Sequence, residues 1–373
     1  MTAHADNASS VDEGGIGATV VMMHGGQSIH GRGAAENPSN RFAHTAYERD
    51  AEWNEPDDPA PKTQFYRDAS ASIITHNDSP DIGFESSINP YRGCEHGCIY
   101  CYARPYHEYL GFSAGLDFET KIVVKEDAPE LLRRELSSRK WKPQVLSISG
   151  ITDPYQPVER RLQLTRQCLQ VLAEFRNPVA IVTKNLLVTR DIDLLADLAR
   201  DNAAAVFLSV TTLDADLARI MEPRTAQPVA RLRAINELTK AGVPAGVMVA
   251  PVIPGLTDHE LPAIVIAAAE AGARFAGMGL VRLPYGVADL FQQWLERHLP
   301  ECKEKVLAQI RAIRGGKLND SEFGSRLTGR GIVAEQIAKM FAVACRRAGF
   351  PEHGPHLSTA AFRRPSGPQM ELL

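Results

Sequence analysis

From about residue 70 the chain alternates two hydrophobic rhythms. Short apolar, β-branched runs at 145–149, 179–183, 205–210, 246–249 and 276–281 read as strands buried on both faces, because successive strand side chains alternate sides and here both sides are apolar. Between them, stretches at 129–139, 165–175, 192–202, 228–241 and 258–271 repeat apolar residues every three or four positions, the spacing that lines one helix face. Several begin at Pro, Asp or Thr and stop near Gly or Asn, residues that satisfy helix ends. A further strand is predicted around 87–90. Repeated strand–helix units with strands this apolar imply an α/β fold, a parallel sheet that is doubly wound or curled into a full or partial barrel. In either architecture the chemistry collects at the carboxyl ends of the strands.

Both ends of the chain leave this rhythm. Residues 1–62 are rich in Gly, Ala, Asn, Asp and Pro and are expected to form a flexible extension. Within them the patch at 31–42, two arginines flanking turn residues, could dock on the main domain. Past residue 285 helical spacing recurs at 291–298, 301–314 and 332–348 without strands. The expected division is therefore an extension (1–62), a β/α unit (63–285) and a helical C-terminal extension with a tail (286–373). Arg326, Arg330, Arg346 and Arg347 are candidates for a substrate entrance, with solvated helix-face charges as the plainer reading.

At 373 residues and 44% hydrophobic the chain can bury a large core. No apolar stretch reaches the roughly 18 to 20 residues of a membrane span, and the apolar run at 16–23 follows an acidic segment, unlike a secretory leader. A cytoplasmic protein without a membrane partner is expected. The net charge of −4 lends no support to a broad nucleic-acid footprint, although a local basic groove stays open.

Chemistry concentrates at Cys94, Cys98 and Cys101, a Cys-x3-Cys-x2-Cys triplet in the run Gly-Cys-Glu-His-Gly-Cys-Ile-Tyr-Cys-Tyr. A cubane [4Fe–4S] cluster normally takes four thiolates, so three leave one iron open. Structural zinc would need a fourth ligand from His96 or His107. A disulfide framework suits neither the length nor the six cysteines of a chain expected in a reducing compartment. Cys168, Cys302 and Cys345 are scattered singly and read as small apolar residues.

Polar outliers stand at the predicted strand ends. Gly150-Ile151-Thr152-Asp153-Pro154 follows one strand, and Thr152 and Asp153 suit a ligand's ammonium group, a turn being the alternative. Lys184 ends the next strand and could pair with a carboxylate. Ser209 lies inside an apolar strand, where its hydroxyl needs a partner. The prolines at 251 and 254 should end the strand before them.

The cysteine triplet, with Tyr100 directly before its last member and β/α units around it, resembles the radical S-adenosylmethionine superfamily. That resemblance implies a partial (β/α)6 TIM-type barrel whose [4Fe–4S] cluster is held by Cys94, Cys98 and Cys101. It further implies S-adenosyl-L-methionine chelating the open iron and cleaved by one electron to a 5′-deoxyadenosyl radical, which abstracts hydrogen from an unknown substrate. An electron donor of flavodoxin or ferredoxin type belongs to the same expectation, with Tyr100 among the cofactor contacts.

The spore photoproduct lyase branch is the most similar. By that resemblance the segment from Gly150 to Asp153 takes the cofactor's ammonium group, reading Gly-Ile-Thr-Asp in place of Gly-Gly-Glu. Lys184 and Ser209 take its carboxylate, and Tyr102 matches a tyrosine of the radical-transfer path. The lyase's hydrogen-donating cysteine would fall at Gly150, and no cysteine lies in 145–159. The chain thus resembles the lyase in scaffold without its donor. The alternatives are lyase-like DNA repair, or a non-catalytic iron–sulfur or zinc protein that senses redox state or binds nucleic acid.

Overall fold

The computed structural model describes residues 29–42, 61–148 and 150–365. The apolar run at 16–23, much of the N-terminal extension, Ser149 and the last residues of the tail lie outside them. In chain order come β1 (Gln64–Arg67), β2 (Ile74–His76), β3 (Ser86–Ile88), β4 (Tyr91–Arg92), α1 (Leu116–Thr120), β5 (Lys121–Val124), α2 (Ala128–Ser137) and β6 (Leu146–Ile148). Then follow α3 (Glu159–Leu162), α4 (Leu164–Phe175), β7 (Val179–Thr183), α5 (Ile192–Ala199), β8 (Ala204–Ser209), α6 (Ala215–Met221), α7 (Pro228–Lys240) and β9 (Ala245–Val252). The last are α8 (Leu261–Glu270), β10 (Ala276–Leu280), α9 (Val287–His298), α10 (Lys303–Ile313) and α11 (Gly331–Arg347).

The large sheet runs β10-β9-β8-β7-β6-β3-β2. Its strands β3, β6, β7, β8, β9 and β10 are parallel, and β2 joins antiparallel at the edge. Six parallel strands with intervening helices are the expected partial barrel. One strand differs from its expectation. β9 does not stop before the prolines but continues through Pro251 to Val252, and the pairing register with β10 shifts between Met278 and Leu280. A proline has no N–H for the ladder, and such an irregularity accommodates it.

Two apolar clusters hold the barrel. Strand residues Ile88, Ile148, Ile181, Leu208 and Val247 pack under Leu132, Leu169, Leu198, Ile235 and Ile264 of the surrounding helices, each fully buried side chain contributing about 1.5–3 kcal/mol. The second cluster joins Phe291, Trp294 and Ile310 of α9 and α10 to Ile99 and Tyr100 of the cysteine loop and to Ala34. The C-terminal helices therefore support the loop directly.

The open side of the barrel is bridged by residues 324–327. Arg326 pairs with Asp81, between β2 and β3, at 2.6 Å, while the Leu280 amide at the end of β10 donates to Leu327 O at 3.0 Å. The patch at 31–42 does dock. Glu119, fully buried, accepts the Gly33 and Ala34 amides at 3.0 and 2.9 Å, and Arg41 pairs with Glu108 at 2.6 Å.

Candidate active site

The cysteine loop is pinned from four directions. The Cys94 amide donates to Phe118 O at 2.8 Å, and the Ile99 amide to Met221 O at 3.1 Å. The Glu95 amide donates to Gln156 Oε1 at 2.9 Å, and Gln156 returns its Nε2 to Gly93 O at 3.2 Å. Arg104, wholly buried, donates to Cys98 O at 3.0 Å and is neutralised by Glu119 at 2.5 Å. Gly33 and Gly97 meet face to face here. A Cβ on Gly33 would stand 1.8 Å from Gly97 O, and Gly97 itself has φ +68, so neither position admits a side chain without displacement.

All three thiols are free of disulfides. Burial pushes each pKa up; Asp153 adds to the rise for Cys94 and Glu222 for Cys98, ahead of the neighbouring cysteines, while Arg104 and Lys184 offset part of it for Cys101. Buried thiols near one another become thiolates when a metal supplies positive charge. Among the described residues no three His, Cys, Asp or Glu side chains converge as ligands of a single ion. Thiolates of a cubane cluster bind separate irons and need not converge, whereas a zinc set must. The fourth zinc ligand considered from sequence is engaged elsewhere, since the His96 ring lies 3.3 Å from Asp153 and 3.2 Å from Asn185 Nδ2. His107 is buried between Phe112 and Phe118 with both ring nitrogens unpartnered, and that burial lowers its pKa to about 4. The donor set fits an iron–sulfur cluster.

The strand-end residues assemble beside the loop. Lys184 Nζ donates to Ser209 Oγ at 2.5 Å and to Ala250 O at 3.1 Å. Burial lowers its pKa to about 8 against the opposing pull of Cys98. Asp153 accepts the Lys184 amide at 2.8 Å and the Thr183 hydroxyl at 2.7 Å. Burial alone would raise this carboxyl, but His96 and these donors hold it below the usual range. Thr152 turns its hydroxyl to Tyr91 O at 3.1 Å. The Gly150 and Ile151 amides both donate to Asn89 Oδ1, at 3.0 and 3.1 Å, and Tyr102 closes over this turn by donating to Gly150 O at 2.8 Å.

The structure also brings in residues that the sequence reading did not single out. Glu222, fully buried, accepts from Tyr100, from Arg231 and, at 2.7 Å, from Thr211, and stands 3.7 Å from Lys184 Nζ. This network fixes Tyr100 and Lys184 against each other. One signal was available. Arg231 lies among Pro228, Ala234, Ile235 and Leu238 on the buried face of α7, where a charge is held only with a partner. Of the four arginines proposed for an entrance, Arg326 stands at the barrel's open side, and Arg330 pairs with Glu322 instead.

The model of the Radical SAM superfamily matches residues 88–267, from the end of β3 into α8. Proteins of Mycobacterium bovis and Mycobacterium tuberculosis are 39% identical to this chain over 283 residues, 75% of it and 80% of theirs. A protein of Methanocaldococcus jannaschii is 28% identical over 224 residues, 60% of this chain and 80% of its own. Among solved structures, spore photoproduct lyase complexed with dinucleoside spore photoproduct superposes with a TM-score of 0.55 at 16% identity, over 76% of this chain and 78% of that one. That likeness is one of fold. No helix among the described residues is long and apolar enough to cross a membrane. The family match spans the cysteine loop and five of the six parallel strands of the barrel: the chain belongs to the radical S-adenosylmethionine superfamily, enzymes that work with a [4Fe–4S] cluster and S-adenosyl-L-methionine.

Proposed function

We propose that Cys94, Cys98 and Cys101 hold the cluster and that the adjoining strand ends hold S-adenosylmethionine against its open iron. The observation that carries this is the Lys184–Ser209 contact of 2.5 Å, a cation and a hydroxyl side by side next to the loop. Lys184 and Ser209 bind the cofactor's carboxylate, and the loop from Gly150 to Asp153 receives its ammonium group. Asp153 orders that loop through its bonds to the Lys184 amide and Thr183. Tyr100 and Glu222 keep Lys184 in place, and the bridge at Arg326 with the C-terminal helices keeps water out. When bound, the cluster and cofactor supply one-electron cleavage to a 5′-deoxyadenosyl radical that abstracts hydrogen from the substrate. A flavodoxin- or ferredoxin-type protein in the cytoplasm provides the electron.

Repair of spore photoproduct is the second reading, favoured by the fold likeness alone. Against it stands Gly150, at the donor's position and without a side chain, and Tyr102 closes over the same turn as the radical-path residue of this proposal. Anaerobic reconstitution tests the assignment. The reduced cluster's electron paramagnetic resonance signal should change on adding S-adenosylmethionine, and an unchanged signal contradicts an open iron. Dinucleotide spore photoproduct should not be turned over, and turnover would reinstate repair.

A further inference from the structure

Charged groups around the barrel mouth are mostly answered by the protein itself. Arg326 has Asp81, Arg41 has Glu108, Arg104 has Glu119 and Arg231 has Glu222. Arg282, two residues past β10, is different. Among the described residues its buried Nε has no hydrogen-bond partner and no carboxylate forms an ion pair with it. Its guanidinium carbon lies 5.4 Å from the centre of the Tyr102 ring. Burial first and Arg326 second lower its pKa. Asp81 acts on it only from beyond ion-pair distance and is itself paired to Arg326; a partly desolvated cation so weakly answered is costly, and the planar fork of donors matches an oxyanion.

Two further polar groups at the barrel mouth are unused. The Ser87 hydroxyl makes no hydrogen bond with the described residues, and Asn89 spends Oδ1 on the Gly150 turn while its Nδ2 stays free. Both face Gly150, whose added Cβ would lie 3.3 Å from Ser87 Oγ and 3.5 Å from Asn89 Nδ2. The rim beside them is aromatic. Tyr102, Tyr106 and Tyr109 are 45%, 51% and 68% exposed, and the Tyr106 and Tyr109 ring centres lie 6.4 Å apart. Arg282 is electrostatically coupled to Tyr106 as well as Tyr102. Tyr109 also packs against Phe42, ring centres 4.9 Å apart; exposed rings of this kind mark a binding surface, and rings beside a cation specify both halves of its ligand.

We infer that the mouth recognises a substrate in which an aromatic ring is joined to an oxyanion, Arg282 gripping the oxyanion while Tyr102, Tyr106 and Tyr109 stack on the ring. This rests on the mouth being the substrate side of a radical enzyme. A nucleotide phosphate and an aromatic carboxylate share the required chemistry, and the test separates them. Reconstituted full-length protein is titrated calorimetrically with thymidine 5′-monophosphate, thymidine, inorganic phosphate, N-acetyltyrosine and N-acetyltyrosine amide. One ring-bearing anion should bind with about tenfold or greater preference over its uncharged partner and over phosphate, the effect of one charge-assisted hydrogen bond. Binding led by thymidine 5′-monophosphate makes the substrate a nucleotide, and binding led by N-acetyltyrosine an aromatic acid.

Arg282→Gln should erase the preference for charge, Arg282→Lys should keep part of it, and Tyr106→Ala with Tyr109→Ala should erase the preference for a ring. Retained visible absorption of the cluster certifies each variant as folded. Five ligands that bind alike, or a charge preference that survives Arg282→Gln, overturn the inference. Absence of 5′-deoxyadenosine from the wild-type protein would instead sink the radical reading, while the binding ratios still judge this one.

Discussion

The two halves of the barrel mouth are built on opposite principles. On the β7–β8 side Lys184, Ser209, Thr211, Glu222, Arg231 and Tyr100 are joined in one buried network. On the β3–β10 side Ser87, Asn89 Nδ2 and Arg282 keep donors that no other described residue uses, and the tyrosines around them are exposed. A satisfied network is rigid and holds its side chains in one arrangement, which suits a cofactor of fixed shape. Unspent polar groups are tolerated where another molecule completes them. On the proposed roles, the first half holds the cofactor and the second selects the target.

The largest expected effect comes from the loop on which both halves depend. Cys98→Ala should lose the cluster and with it all 5′-deoxyadenosine, read as loss of iron and of visible absorption after reconstitution. Next is Glu222→Gln, which strips the counter-charge from buried Arg231 and should cost about 3–5 kcal/mol in denaturant unfolding. An unchanged midpoint would mean that the β7–β8 half is not the rigid one.

Lys184 gives the contrast a pH axis. Its ammonium binds a carboxylate only while protonated, and burial brings its pKa to about 8, so cofactor affinity should be full below that pH and fall above it. The loss should approach about 1.5–3 kcal/mol, one hydrogen bond to a charged group, and Lys184→Arg should remove the pH dependence because a guanidinium stays charged. Gly33→Ala drives a Cβ into Gly97 O and should destabilise the loop by about 1–3 kcal/mol, seen as faster loss of the cluster under chelation. Smallest is Ser87→Ala. Deleting a hydroxyl that bonds none of the other described residues should leave stability within about 0.5 kcal/mol, and a larger loss would show that the β3 half is also internally tied.

Much of this was legible in the chain. The strand at 179–183 coincides with β7, and β8, α7 and α10 start or stop within two residues of their expectations, because buried parallel strands and one-faced helices leave strong periodic traces. Lys184 and Ser209 were readable as polar residues at apolar strand ends, and they meet. Harder to read were contacts between distant segments. Nothing local announces that Glu119 receives the Gly33 amide or that Glu222 receives Tyr100, since an acidic residue in a short helix or just after one looks solvated until tertiary packing buries it. Pro251 misled for a similar reason, because the matching irregularity lies in its neighbour β10 and not in its own strand.

The proposed function requires that this loop and these strand ends support cleavage of S-adenosylmethionine. Its most direct test is anaerobic incubation of reconstituted protein with dithionite and S-adenosylmethionine, followed by chromatographic measurement of 5′-deoxyadenosine. The wild-type protein should form it, and Cys98→Ala should form none. No 5′-deoxyadenosine from the cluster-loaded wild type, with the Cys98→Ala protein retaining its metal, would contradict it.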